Sequence, residues 1–216
     1  MRHPQMSVDV QLRLQALLAE AGLPGLDASI AARFADYFEL IVHWNQRVNL
    51  TSVRNEEGIL RRHFVESIAC ACALPASVAT LLDFGSGAGF PGIPIALCRQ
   101  GIAVTLAESQ GKKAAFLREA ARTLGISVEV HSRRAEVLAG TFGCVTLRAV
   151  DRMAAAVAAA ANLVDPGGWL APMTTSAELA GVKLAAGARI SWDSTIQLPG
   201  GEDRILALGR RLNVPA

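Results

Sequence analysis

Apolar positions recur at helical spacing through the first third of the chain and then give way to short unbroken runs. From Ser7 to Ala21 the spacing predicts a helix that starts near Ser7 or Asp9 and carries Leu12, Leu17, Leu18 and Ala21 on one face. Asp27 caps a second helix bearing Ile30, Phe34, Tyr37, Phe38 and Ile41. Asn55 caps a third, with Glu56 and Glu57 in its first turn, which runs to about Ala73 and ends at Leu74-Pro75. From residue 78 the pattern changes. Runs at 78–84, 103–107, 127–131, 143–149 and 168–172 read as strands separated by helical stretches. Two more, near 189–198 and 203–211, are joined around the turn signal Pro199-Gly200-Gly201. The alternation predicts an α/β fold, a mostly parallel sheet with crossover helices over residues 78–216, behind a helical cap at 1–77. There is no internal repeat and no long linker.

Composition sets outer limits. Hydrophobic residues make up 51% of the 216, ample for a core. No apolar run approaches the roughly 20 residues of a membrane span. Met1-Arg2-His3-Pro4-Gln5 lacks the apolar centre of a secretion signal, so a cytoplasmic protein is expected. Cys70, Cys72, Cys98 and Cys144 show no zinc spacing and are expected to be buried free thiols, with no metal. A net charge of +2 is too small for a non-specific nucleic-acid binder, leaving either no RNA partner or docking through a local patch. Of the 21 basic residues 18 are arginine, which suits phosphate contact and base stacking, though genome composition gives the same bias. Nothing demands more than a monomer.

The chemistry concentrates at Asp83-Phe84-Gly85-Ser86-Gly87-Ala88-Gly89-Phe90-Pro91-Gly92. A strand, an alternating-glycine turn and a helix bring backbone close to a nucleotide-like cofactor. Two cofactors compete. Gly87-x-Gly89-x-x-Gly92 matches the dinucleotide pattern, while Gly85-x-Gly87-x-Gly89 matches the turn of S-adenosylmethionine enzymes. In the first, Pro91 and Pro94 remove N–H donors where they are needed; in the second they fall in the first helical turn, where the loss costs little. Glu108 ends the next strand and can accept from both ribose hydroxyls of an adenosine, or serve as an N-terminal acid for the following helix.

Gly85-Ser86-Gly87-Ala88-Gly89-Phe90-Pro91-Gly92-Ile93-Pro94, Glu108-Ser109 with Gly111-Lys112-Lys113 and Phe116-Leu117-Arg118, Ser132-Arg133-Arg134-Ala135-Glu136 and Arg148-Ala149 resemble, in order, the bacterial small-subunit ribosomal RNA methyltransferase G family. Trp44-Asn45-Gln46-Arg47-Val48-Asn49-Leu50-Thr51-Ser52-Val53 and Arg62-His63-Phe64-Val65-Glu66-Ser67 extend the match, which covers about two thirds of the chain. The resemblance implies a seven-stranded Rossmann-like class I methyltransferase sheet with an N-terminal helical extension. It also implies transfer from S-adenosyl-L-methionine to N7 of one guanine in the decoding-region loop of 16S rRNA; free rRNA and the assembled small ribosomal subunit both stay open as the substrate, the near-neutral charge favouring the shaped subunit.

By the same resemblance Gly85, Gly87 and Gly89 line the amino-acid portion of the cofactor and Phe90 closes over it. Asp83 serves the methionine ammonium through a water or the loop, Ala135 and Glu136 edge the adenine, and Arg148 stands at the transfer site. His63, Ser67 and Asn49 face that site. Blander roles stand beside these: a surface ion pair for Arg148, a helix-start acid for Glu136, simple packing for His63. Arg47, Arg54, Arg61, Arg62 and His63 form either a phosphate-facing patch or a solvated face, and Lys112, Lys113, Arg118 and Arg122 read as solvent-facing. Two positions depart from the family. Its Lys-Gly pair after the fifth strand is replaced by Ala171-Pro172-Met173-Thr174-Thr175, so that cation is either missing or supplied by Arg148 or Arg152, and its Asp-Ser is Glu66-Ser67. A nicotinamide oxidoreductase and an RNA-binding assembly factor with a relic pocket are the rivals. Arg148→Ala is expected to spare the fold and slow turnover.

Overall fold

The computed structural model describes residues 4–213. Helices α1 (Pro4–Glu20) and α2 (Ala28–Asn45) pack against one another. The buried face of α1 is Val10, Leu14, Leu17 and Leu18, the i, i+4, i+7, i+8 stripe of an amphipathic helix. Leu12 falls on the far side and is 66% exposed, which corrects the expected face. In α2, Phe34, Tyr37, Phe38 and Ile41 are buried as their spacing predicts. The third helix is present but not uniform. It begins as α3 (Glu56–Gly58), where Asn55 Oδ1 accepts from Gly58 N at 2.6 Å, and ends as α4 (Glu66–Ala73). Between them Ile59–Val65 is wound as a π-helix, a geometry rare in proteins and frequent at functional sites. His63 lies in that segment.

Seven strands form one sheet in the order β3-β2-β1-β4-β5-β7-β6. They are β1 (Thr80–Phe84), β2 (Ala103–Ala107), β3 (Val128–His131), β4 (Phe142–Arg148), β5 (Val164–Thr175), β6 (Ile190–Gln197) and β7 (Arg204–Arg211). The first five are parallel; β7 runs antiparallel between β5 and β6. The order reverses between β2-β1 and β1-β4, so the crevice for a ligand opens at the carboxyl ends of β1 and β4. Only β5 departs appreciably from its expected bounds. The strand starts earlier than expected, carrying Pro166, Gly167 and Gly168 within it across a register shift opposite β4.

Helices α5 (Gly92–Cys98) and α6 (Gly111–Leu124) share a core with α1, α2 and α4; α7 (Met153–Asn162) and α8 (Leu179–Ala186) cover the other face. An aromatic cluster joins the N-terminal helices to the crevice. Tyr37 stacks on Phe64 at 5.4 Å and packs against Phe90 at 5.4 Å and Phe116 at 6.4 Å. Its hydroxyl donates to the Ala88 carbonyl. The buried face of α2 thereby fixes the glycine turn. Near the surface Glu57 accepts from Arg13 and Arg61, and Arg61 also reaches Glu20. Such exposed pairs add little stability. All four cysteines are free thiols; Cys72 is exposed rather than buried as expected. Among the described residues no helix is long and apolar enough to cross a membrane.

Candidate active site

At the carboxyl edge of β1 and β4 a cavity of about 530 Å³ is lined by Gly85, Ser86, Gly87, Phe90, Glu108, Ala135, Glu136, His63 and Arg148, among others. The turn after β1 has a left-handed backbone at Gly85 (φ 71°) and Gly87 (φ 58°). A Cβ at Gly85 would stand 2.6 Å from Val150 Cγ1, so the loop after β4 closes against that position. A Cβ at Gly87 would meet nothing nearer than the Gly85 carbonyl at 4.0 Å, in a residue that lines the cavity. The loop after β4 is itself strained, since Ala149 (φ 48°) and Arg152 (φ 53°) adopt a conformation that side chains disfavour.

Asp83 lies beneath the turn. It is fully buried, accepting from Gly92 N at 3.1 Å through Oδ2 and from Thr146 Oγ1 at 3.1 Å through Oδ1. It staples the turn from below and does not line the cavity, so any part in holding an ammonium runs through the loop and not through direct contact. Burial pushes its carboxyl from 3.8 up to about 6, against the pull of those hydrogen bonds. A carboxyl whose pKa is higher folded than unfolded stabilises the fold below about pH 3.8 and loses that contribution as the pH rises to about 6. Asp83→Asn can keep both contacts, because Thr146 Oγ1 can accept from the amide and turn its own proton to the Leu82 carbonyl at 3.4 Å. Against the parent protein, this variant is expected to gain about 3 kcal/mol in unfolding free energy between about pH 4 and pH 7. Denaturant melts across that range check it; a flat difference contradicts the buried-charge account.

Glu108 is 7% exposed. Its Oε2 accepts from Gly87 N at 3.0 Å and its Oε1 from Gln110 N at 2.7 Å. A carboxylate has about four acceptor positions, so about two remain for the hydroxyls of a ribose. The glycine turn and Glu108 therefore fit an adenosine-bearing cofactor. The start of α5 does not fit a pyrophosphate. Pro91 and Pro94 lack N–H groups, Gly92 N is spent on Asp83, and Ile93 N donates to the Gly89 carbonyl at 2.8 Å. The dinucleotide pattern is present in the letters and absent in the donors.

The other side of the cavity is built across the fold. Arg148, at the end of β4, donates to the Arg62 carbonyl at 2.6 Å and to His63 Nδ1 at 2.7 Å, and pairs with Glu66 at 3.3 Å. Its side chain is 7% exposed, so the surface ion pair is excluded. A guanidinium only donates, so His63 Nδ1 accepts and the ring proton sits on Nε2, which donates to Thr51 Oγ1 at 2.7 Å. Burial, with Arg148 and Arg62 adding to it, lowers His63 to about 2, so the ring is neutral. It stacks on Phe90 at 4.7 Å. Glu66 is fully buried; burial raises its carboxyl while Arg148 and Arg204 oppose the rise. Arg204, on β7 opposite Thr175, reaches Glu66 at 2.9 Å and also lines the cavity. A cation thus stands beside the strand end where the family's lysine is missing, and it comes from β7, not from Arg152. Because Arg148 is buried with Glu66, Arg148→Ala will cost stability as well as turnover, which corrects the expectation that it spares the fold.

Other expected site residues are placed differently. Asn49 is exposed, accepts from Arg54 Nη2 at 3.0 Å and does not line the cavity. Ser67 is buried and donates back to the His63 carbonyl at 2.5 Å. Phe90 is 4% exposed and packed against His63, Tyr37 and Phe64, so it is a wall of the cavity, not a lid. The expected Arg47–His63 patch divides: Arg61 joins the Glu57 network, Arg54 caps the chain at Asn45, and Arg62 stands at the cavity. Around the cavity Arg62 is joined by Lys113, Arg133, Arg134 and Arg152. Of the α6 cations read as solvent-facing, Lys113 faces the cavity.

A family model described as rRNA small subunit methyltransferase G matches residues 30–186. The chain belongs to that family. It is 38% identical over 193 residues to the ribosomal RNA small subunit methyltransferase G of Stenotrophomonas maltophilia, covering 86% of this chain and 89% of that protein. Over 215 residues it is 37% identical to the protein of the same name from Xanthomonas euvesicatoria, covering 96% of each. Among solved structures, a ribosomal protein L11 methylase from Lactobacillus delbrueckii superposes with a TM-score of 0.60 at 13% identity, covering 74% of this chain and 80% of that one. That likeness is one of fold, a Rossmann-like methyltransferase sheet. As a member of the methyltransferase G family, the chain is an S-adenosylmethionine-dependent enzyme, and the glycine turn with Glu108 is where its residues fit that cofactor.

Proposed function

We propose that this methyltransferase modifies N7 of a guanine in the decoding-region loop of 16S rRNA, presented within the small ribosomal subunit. The observation that carries the reading is the state of His63. It is the only histidine lining the cavity among the described residues, and both of its nitrogens are engaged with the ring neutral. A site built this way offers no imidazole base. N7 of guanine asks for none, because it carries a free lone pair and no proton.

S-adenosylmethionine, when bound, supplies an electrophilic methyl group. The chain's residues do the remainder. Gly85 and Gly87 keep the turn close to the ligand, while Gly89, expected beside them, does not line the cavity and packs behind the turn against Ile93 and Tyr37; Glu108 holds the ribose, and Ala135 and Glu136 border the adenine. Phe90 and Arg148 wall the transfer side. Holding N7 in line with the methyl and excluding water is a matter of position and field rather than proton transfer. Arg62, Lys113, Arg133, Arg134 and Arg152 give the cavity a cationic surround suited to a folded, phosphate-rich substrate. Residues 1–77 are read as a helical cap on the methyltransferase unit at 78–216, acting as a monomer in the cytoplasm.

Transfer of labelled methyl to small subunits from a strain lacking this gene is expected to yield N7-methylguanosine after nuclease digestion. Cofactor binding without incorporation would overturn the reading in favour of an assembly factor with a relic pocket.

A further inference from the structure

Thr51 lines the same cavity as His63, Arg148 and the glycine turn. Its Oγ1 receives two hydrogen bonds. One is the His63 Nε2–H at 2.7 Å, whose direction is fixed because Arg148 donates to the opposite nitrogen. The other is the Val53 N–H at 3.1 Å. A hydroxyl has two acceptor positions and one proton. Both positions are filled from within the protein, and among the contacts of the described residues none takes the proton. The chain Arg148–His63–Thr51 thus converts an ordinary hydroxyl, which can give or take, into one that can only give.

Resting on the guanine-N7 reading above, we propose that Thr51 is a specificity residue that donates its hydroxyl proton to O6 of the target guanine. Beside N7, guanine presents the O6 acceptor, whereas adenine presents the N6 amino donor. A donor-only hydroxyl pairs with the first and meets the second donor to donor, leaving both unsatisfied. His63 and Arg148 act here as positioning residues that hold the hydroxyl's polarity. A neutral donor also suits the chemistry. A cation at O6 would draw electron density from the ring and blunt the N7 lone pair. Arg148, the nearby guanidinium, is instead tied to Glu66, to His63 and to the Arg62 carbonyl.

The test compares small subunits reconstituted with guanine or with 2-aminopurine, which keeps N7 and lacks O6, at the target position. For the parent enzyme, loss of O6 is expected to lower kcat/KM by roughly tenfold to a hundredfold. Thr51→Val is expected to lose a similar factor on guanine and nothing further on 2-aminopurine, with cofactor affinity unchanged by calorimetry. Thr51→Ser is expected to keep the discrimination. A purely structural role for Thr51 would depress both substrates equally and leave their ratio intact; that result, in Thr51→Val or, if that variant does not fold, in Thr51→Ala, overturns the proposal. Absence of N7-methylguanosine from the parent enzyme on guanine subunits would fail the guanine-N7 reading instead, and is distinguished by occurring before any variant is made.

Discussion

Gly87→Ala yields a protein that folds and binds its cofactor poorly. A Cβ at this position meets no protein atom closer than 4.0 Å, so packing is undisturbed. Placing alanine at φ 58° costs about 1–2 kcal/mol of backbone strain, within the reserve of an ordinary domain. The added methyl enters the cavity where the ligand's own atoms must lie. Affinity for S-adenosylmethionine is expected to fall by about tenfold or more, equal to about 1.4 kcal/mol or more, while the melting temperature drops by only a few degrees. Gly85→Ala is the contrast. Its Cβ meets Val150 at 2.6 Å, so the loop after β4 must move and both stability and binding suffer. Calorimetric titration with parallel thermal melts separates the two. If Gly87→Ala binds as well as the parent, the cofactor does not lie against this turn.

The largest expected loss of stability belongs to Glu66→Ala. The carboxylate is wholly buried between Arg148, with its side chain 7% exposed, and Arg204 at 19%. Removing it leaves two guanidiniums facing one another with no counter-charge, which costs about 3–5 kcal/mol. That is a large fraction of the roughly 5–15 kcal/mol holding a domain together. Urea unfolding is expected to show the midpoint falling with little change in slope. Replacing Glu66, Arg148 and Arg204 together by Met is expected to recover much of the stability and none of the activity. This would show that the cluster is retained for the site and not for the fold. A Glu66→Ala protein as stable as the parent would mean that water already compensates the charge.

Where contacts are local, the letters disclose them. The change from helical spacing to apolar runs near residue 78 separates helices from sheet, and all the strands but β5 fall close to their predicted bounds. The cofactor half of the site lies between Asp83 and Glu108 on adjacent strands, so spacing alone brings its parts together. The transfer half joins residues 51, 63, 66, 148 and 204, which only the tertiary fold makes neighbours. Neither the π-helical winding that places His63 nor the polarity of Thr51 has a local signature. Asn49 illustrates the limit: it stands in the same segment as Thr51, yet its side chain turns out to Arg54. Glu66 did leave a trace. An acid set between Phe64, Val65, Ile68 and Ala69 is out of place on an apolar helix unless a partner arrives from elsewhere in the chain.

The two partners of Glu66 arrive from strands far apart in the chain. Arg148 lies 82 positions downstream, and Arg204 is on β7, the last strand of the described chain. Strand β7 also inserts between β5 and β6, completing the sheet from within. Without β7 in place, Glu66 would keep one of its two cations, Arg148, and lose the other. The transfer side of the cavity closes only when the final strand slots home. Such long-range pairing is slow and comes late in folding. The transfer side of the active site is thus tied to closure of the sheet itself, so a lesion that unseats β7 reaches the site through Glu66 without touching a cofactor-facing residue.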